Sequence, residues 1–273
     1  MPELPEVEVI RQGLQKHLPG RQIAAVKTNH KKLRLPVPMK QLKQYIIGAR
    51  VASVGRRAKY LLINMDNGAA MVIHLGMSGR LGLLPPAASL KKHDHLRWLL
   101  DDGNELRFND SRRFGSVQVL APGETLEDRI AKIGPEPLGP DFTAAYLKDR
   151  ARGRKQPIKN FLMDGRIVVG IGNIYACETL FRASIRPTTP AGRLGIKRWQ
   201  RVVDAAQDVL RNAIASGGTT INDFVNESGK TGYFQLELQV YGRARQPCHI
   251  CKTAITRKVM AGRSTFFCKV CQK

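Results

Sequence analysis

The chain has 273 residues, 42% of them hydrophobic, with 45 Lys plus Arg against 22 Asp plus Glu and a formal net charge of +23. That length supports one large domain or two ordinary ones, and so large a cationic excess is relieved by a polyanion, of which nucleic acid is the usual one. No apolar run reaches transmembrane length, no basic leader precedes an apolar stretch and no basic amphipathic helix offers a membrane anchor, so the composition predicts a cytoplasmic, nucleoid-associated protein rather than a membrane-surface one.

The chain opens Met1-Pro2-Glu3-Leu4-Pro5-Glu6. Pro2 and Pro5 suit a first helical turn, Glu6 and Glu8 suit the positive end of a helix dipole, and Val7, Ile10 and Leu14 share a face, which predicts a helix over 3–17. The same residues admit a chemical reading. With Met1 removed, Pro2 presents a secondary amine beside the Glu3 carboxyl. An α-amino group titrates near ~7.7–8.0, so part of it is neutral and nucleophilic at neutral pH. Such an amine attacks an electrophilic sugar carbon and forms an iminium.

Strand-like runs follow at 50–54, 59–65, 70–75, 96–100, 105–108 and 115–120, with Asp66-Asn67-Gly68 and Asp101-Asp102-Gly103 as hairpin turns. Residues 1–131 therefore read as a β-sandwich with a helix at its start. The segment Gly134-Pro135-Glu136-Pro137-Leu138-Gly139-Pro140 excludes helix and central strand and reads as an interdomain linker. Beyond it the period becomes helical, over about 143–150, 156–164, 173–183 and 197–215. The glycine-rich, polar segment 217–233 reads as a mobile loop, and 234–242 as a strand leading into the last module. Gly170-Ile171-Gly172 leaves backbone N–H groups unblocked before a helix, which suits a phosphate or simply a tight turn; without a third glycine or a preceding strand it does not bind a dinucleotide.

Four of the five cysteines, Cys248, Cys251, Cys268 and Cys271, form C-x2-C-x16-C-x2-C, the spacing of a structural four-thiolate zinc site. Disulfides do not suit a reducing compartment, and iron–sulfur ligation uses other spacings. Cys177 stands alone in a helical run and reads as a small core residue. From Arg243 onward there are eight Lys or Arg and no acid.

The stretches MPELPEVE at 1–8, RRAKYLL at 56–62, HLGMSG at 74–79, KHDH at 92–95, SRRFG at 111–115, GPEPL at 134–138, GIGNIYA at 170–176 and GKTGYFQLELQVYGR at 229–243, with the cysteine module, span the chain. In these the sequence resembles the bacterial formamidopyrimidine-DNA glycosylase family. The resemblance implies an α+β multidomain fold: an N-terminal β-sandwich domain over 1–131, a helix–two-turn–helix domain with a lesion-capping loop over 132–238, and a zinc-ribbon hairpin over 239–273. It also implies a monomeric enzyme of base-excision repair, which removes oxidised purines from duplex DNA and cuts the strand by β,δ-elimination.

Mapped by motif, the resemblance makes Pro2 the nucleophile at the sugar C1′ and Glu3 the acid that opens the sugar. Lys59 becomes the lysine of proton transfer and phosphate contact, and Arg263 the hairpin arginine that holds phosphates beside the lesion. His74, His93, Arg154, Lys159 and Asn173 fall at DNA-binding positions. Met77, Arg112 and Phe114 correspond to the side chains that fill the space left by a flipped base, where apolar wedges replace lost stacking. Read without the family, Met77, Phe114 and His74 are ordinary core residues, and Lys59 is a surface lysine. Gly165, Ser111 and Lys269-Val270 depart from the family pattern at positions outside the chemistry. Leu4 separates the chain from the endonuclease VIII group, which prefers oxidised pyrimidines. A non-catalytic zinc protein that binds nucleic acid fits the charge and cysteines but has no use for the Pro2-Glu3 pair with Lys59.

Overall fold

A computed structural model describes residues 2–30, 32–130, 133–217 and 238–273, which divide into two compact units, 2–130 and 133–216 with 238–273. Among the described residues no helix is long and apolar enough to cross a membrane. The expected loop over 217–233 lies outside the described residues except for its first residue, as does the first part of the strand expected over 234–242; the described part, 238–242, is turn and bend.

The first unit begins with helix α1 (Leu4–His17), in which Glu3 is the N-cap and exchanges a capping box with Glu6. The Glu3 amide donates to Glu6 Oε2 at 2.8 Å, and reciprocal satisfaction of this kind fixes a helix start. Leu4, Val7, Ile10 and Leu14 are buried on one face. Two four-stranded antiparallel sheets follow. One has the order β2-β3-β4-β8, with β2 Val51–Arg57, β3 Tyr60–Met65, β4 Ala70–His74 and β8 Ser116–Leu120. The other has the order β1-β6-β7-β5, with β1 Ile23–Thr28, β5 Arg80–Leu84, β6 Asp94–Leu100 and β7 Glu105–Asn109. One core holds Ile63, Met71 and Ile73 of the first sheet with Leu96, Trp98, Leu106 and Phe108 of the second, and α1 covers the same core. The unit is the expected sandwich.

The strands missing from the sequence reading, β1 and β5, are both sheet edges. An edge strand pairs on one side only and tolerates the polar and glycine residues of Ile23–Thr28 and Arg80–Leu84. Short helical turns at α2 (Met39–Gln41), 42–46 and α3 (Leu126–Arg129) are likewise too brief to leave a period.

The second unit packs helices α4 (Ala144–Ala151), α5 (Ile158–Leu162), α6 (Asn173–Arg182) and α7 (Ile196–Ala215) around Phe161, Tyr175, Leu180, Trp199 and Leu210. Strands β9 (Thr256–Met260) and β10 (Arg263–Phe267) make the C-terminal hairpin. Cys177 is buried in α6 and packs with Phe181 against Val240, Phe266 and the ligand cysteines, as its reading as a core residue anticipated.

The segment 134–140 has no helix or strand, but it is not a free linker. The Gly134 amide donates to the Gly165 carbonyl at 2.8 Å and the Val169 amide to the Pro135 carbonyl at 3.1 Å. A Cβ on Gly134 would lie against the Ile167 carbonyl, whereas one on Gly165 would meet nothing within 4 Å. Gly134→Ala should therefore cost about 3 kcal/mol and lower the thermal midpoint by roughly 6–12 °C, and Gly165→Ala should leave it nearly unchanged, as read by differential scanning calorimetry.

Candidate active site and nucleic-acid interface

Strand register brings the expected residues of the first unit to one end of the sandwich. Arg57 pairs with Tyr60 across a two-residue turn, Ala58-Lys59, so Lys59 sits at the tip of the β2–β3 hairpin. Tyr60 pairs with His74, and His74 with Ser116. Arg80 pairs with Asn109, and Asn109 with Asp94. The loops 75–79 and 110–115 each cross from one sheet to the other at this end. Lys59, His74, Met77, His93, Arg112 and Phe114, scattered over 56 positions of sequence between the first and the last, thereby share one rim.

The start of α1 points to the same rim. Gln15 Oε1 accepts the Val54 amide at 2.6 Å, while Glu8, two turns nearer the N-terminus, accepts Arg56 Nε at 2.9 Å close to the hairpin tip. Pro2 is half-buried and Glu3 is buried, just ahead of that turn. Arg56 also donates to the Ala58 carbonyl at 2.9 Å, which braces a turn whose Ala58 has a left-handed φ of 56°. Burial opposes ionisation of Glu8, but hydrogen bonds and charge from Arg11 and Arg56 outweigh it and hold the carboxyl below its ordinary range.

His74 is not a bland core residue. Its Nδ1 accepts the Gly76 amide at 3.0 Å, so the neutral ring carries its proton on Nε2 and can donate from there. Burial, with the charges of Arg34 and Lys59, lowers its pKa from 6.5 to about 4. Its ring lies tilted on Tyr60 at 4.9 Å.

Met77 and Phe114 are 42% and 45% exposed. These are large apolar side chains left in water, and the Arg112 guanidinium lies 4.6 Å from the Phe114 ring centre. Asp110, which sequence reasoning did not single out, organises both loops. Its carboxylate accepts the Ser78 hydroxyl at 2.6 Å, the Gly115 amide at 2.8 Å and the Arg112 amide at 3.3 Å. An Asp between a strand and a turn is a frequent cap for backbone N–H groups, which is the signal that marks it. His93 sits beside the start of β6, and its carbonyl accepts the Asp110 amide at 3.1 Å.

In the second unit Gly170 takes a φ of 82° and Gly172 is the N-cap of α6, where neither glycine brings a side chain of its own to the turn. Asn173 Nδ2 donates to the Ser264 carbonyl at 2.9 Å and thereby ties β10 to the start of α6. Arg263 is exposed beside the two-residue turn Ala261-Gly262, where both φ values are positive. Arg154 is half-buried, with Nε donating to the Arg150 carbonyl at 2.7 Å. Lys159, expected at a DNA-binding position, is fully buried and donates to Thr265 Oγ1 at 2.7 Å. An ammonium on the first turn of α5 thus fastens the hairpin instead of meeting solvent. Sequence reasoning also missed Glu178, whose buried carboxylate accepts three successive amides, of Gln239, Val240 and Tyr241, at 2.8–3.0 Å. Burial raises its pKa, against the pull of those amides and of Arg243.

The four expected metal ligands converge. The sulfurs of Cys248, Cys251, Cys268 and Cys271 lie within 4.8 Å of one another, with Cys251 and Cys268 at 3.4 Å and Cys248 and Cys271 at 3.9 Å. A tetrahedral ion with zinc–sulfur bonds of about 2.3 Å needs sulfur separations of about 3.8 Å, so the cluster fits zinc, and four thiolates leave no open position for catalysis. Buried Gln272 supports the knuckle by accepting the Cys268 amide at 2.9 Å and donating to the Ile185 carbonyl at 2.9 Å.

Family models match most of the chain: a formamidopyrimidine-DNA glycosylase N-terminal domain over residues 1–117, a formamidopyrimidine-DNA glycosylase H2TH domain over 133–225, and a zinc finger found in FPG and IleRS over 245–273. Curated relatives named formamidopyrimidine-DNA glycosylase include one from Thioalkalivibrio sulfidiphilus, 47% identical over 273 residues, and one from Rhizorhabdus wittichii, 49% identical over 275; each alignment covers 100% of both chains. A crystal structure of wild-type Lactococcus lactis Fpg with DNA containing N7-benzyl-Fapy-dG is 33% identical with a TM-score of 0.91, and the same protein with DNA containing an oxidised pyrimidine is 33% identical with a TM-score of 0.90; both cover 100% of each chain.

Two outcomes follow from this geometry. Because the folded pKa of His74 lies below 6.5, the unfolded chain takes up its proton first. The stability contributed by the neutral ring is complete above about pH 6.5 and is lost as pH falls toward about 4, roughly 3 kcal/mol at most. Nitrogen-15 shifts of the ring should show the Nε2–H tautomer throughout pH 5–8. Stripping zinc with a strong chelator should collapse the dispersion of the Phe266 and Phe267 resonances, since a four-thiolate site contributes its binding energy to folding.

Proposed function

The chain belongs to the formamidopyrimidine-DNA glycosylase family, and from that premise we propose that Pro2 and Glu3 are the reacting groups of its base-excision-repair chemistry on oxidised purines in duplex DNA. The observation that carries this reading is the convergence on one rim of the sandwich: the start of α1, the Lys59 hairpin tip, His74, and the exposed Met77, Arg112 and Phe114.

With Met1 removed, the Pro2 nitrogen adds to C1′ of the damaged nucleotide, the glycosidic bond breaks, and the proton that the amine gives up goes to the departing base. Glu3, in its carboxylic acid form, gives a proton to the ring oxygen. The bond from C1′ to that oxygen then breaks, which leaves an iminium between C1′ and Pro2. The iminium acidifies the C2′ proton; its loss expels the 3′ phosphate, a second elimination expels the 5′ phosphate, and water releases Pro2. Lys59 suits the proton transfers, because Arg56 braces the turn that presents it.

His74 donates from Nε2 to a phosphate without needing to be charged, and Arg263 offers an exposed guanidinium to others. Asn173, expected to contact phosphate, already gives its side-chain amide to the Ser264 carbonyl and so sets where β10 meets the start of α6. Arg154 keeps its terminal guanidinium nitrogens for phosphate. Lys159 is left out of this set and given a structural role. In functional terms the chain divides at about 131 and 238, with the structural zinc in the last part. The protein works as a monomer on cytoplasmic, nucleoid DNA.

Borohydride reduction on a duplex holding one 8-oxoguanine opposite cytosine tests the proposal. The wild type should trap as a covalent complex and Pro2→Gly should trap at least tenfold less. A wild type with Met1 removed that traps nothing would overturn it. One relative was captured on oxidised-pyrimidine DNA, so the substrate panel includes a pyrimidine lesion, on which faster trapping would move this chain to the pyrimidine reading.

A further inference from the structure

We infer that Asp110 is a positioning residue that couples the two wedge loops, so that Met77 and the Arg112–Phe114 pair enter the duplex as one unit. The inference rests on the functional reading above and adds to it a residue that neither touches DNA nor reacts.

Asp110 is 0% exposed, and among the described residues no ion pair reaches it. A buried, unpaired carboxylate is costly, and it persists only where hydrogen bonds satisfy it. Here one oxygen, Oδ1, accepts the Ser78 hydroxyl at 2.6 Å and the Arg112 amide at 3.3 Å, while Oδ2 accepts the Gly115 amide at 2.8 Å. Ser78 follows Met77 in one loop; Arg112 and Gly115 bracket Phe114 in the other. Ser78 Oγ in turn accepts the Arg112 amide at 3.2 Å, which closes a small network across the two loops.

The rest of the Asp110 peptide is committed to the same end. Its carbonyl accepts the Arg113 amide at 3.2 Å, where Arg113 takes a left-handed φ of 55°, and it also accepts His95 Nε2 at 2.9 Å. The loops also touch backbone to backbone, since a Cβ on Gly76 would run into the Phe114 carbonyl group.

The chemistry requires an acid at this position. A carboxylate is acceptor-only and offers two oxygens, one toward each set of donors. Asparagine has the same shape but one acceptor: turned one way its NH2 faces the Gly115 amide, and turned the other it faces the Arg112 amide and reverses the bond with Ser78, whose hydroxyl then accepts. A wedge held in place before contact loses little entropy when it enters the stack, and a wedge made of two loops keeps that advantage only if the loops are fixed to each other.

The test uses a duplex with a tetrahydrofuran site flanked by 2-aminopurine, which reports insertion without requiring any reaction. Met77→Ala and Phe114→Ala, alone and together, form a double-mutant cycle in three backgrounds: wild type, Asp110→Asn and the milder Ser78→Ala. In the wild type each single change should weaken binding about tenfold, and the pair little more than either alone. In both other backgrounds the two effects should multiply. Multiplying effects in the wild type, or coupling that survives in both backgrounds, would overturn the inference. Coupled insertion together with absent borohydride trapping would instead overturn the catalytic reading and leave this one standing.

Discussion

A chain terminus ordinarily frays, yet the proposed nucleophile is the residue that leads this one once Met1 is removed. The constraint that makes the chemistry possible is the apolar stripe of α1. Val7, Ile10 and Leu14 are buried in the sandwich core and Leu4 is buried at the helix start, and at about 1.5–3 kcal/mol for each large side chain their burial contributes on the order of 10 kcal/mol. That is far more than the entropy of ordering one or two preceding residues. The Glu3–Glu6 capping box then fixes the direction in which the chain leaves the helix, and Glu8–Arg56 ties the first turns to the hairpin that carries Lys59. Loss of the stripe would release the amine even with every reacting group intact.

A protein of net charge +23 has an abundance of cations with which to neutralise buried acids. Two of its buried carboxylates are satisfied otherwise. Asp110 rests on a hydroxyl and two amides, and Glu178 on three amides. Buried acids held by backbone donors shape loops without capturing an arginine, which leaves the guanidinium groups of Arg112 and Arg263 available to phosphates and base edges. Where a cation is tied down, as Arg56 is by Glu8 and Lys159 is by Thr265, it braces a turn or fastens the hairpin. The division between cations that bind and cations that build is made by burial.

The second unit shows the same economy. The zinc cluster, Gln272 and the Cys177–Phe181 face of α6 hold a hairpin too short to be stable alone, and Asn173 and Lys159 fix its β10 strand to two helices. Arg263, beside the tight Ala261-Gly262 turn, lies at the far end of the hairpin from the four cysteines that would hold the ion.

The sequence by itself determined the features that depend on local spacing. The period of Val7, Ile10 and Leu14, the two Asp-x-Gly turns, the helices after residue 143 and the C-x2-C pairs are all short-range patterns, and each is present in the folded chain. Its motifs also named Pro2, Glu3, Lys59, His74, Met77, Arg112 and Phe114. Only tertiary structure decided which of these share a rim, because that depends on register between strands far apart in sequence. It also decided that Met77 and Phe114 face water, that the neutral His74 ring carries its proton on Nε2, that Lys159 is buried and that the GPEPLGP segment is packed into its unit. Edge strands β1 and β5 and the role of Glu178 left no trace in the pattern, and Asp110 left only the mark of a cap between a strand and a turn. Burial and hydrogen bonding are properties of neighbours brought together by folding, and a residue's own type does not contain them.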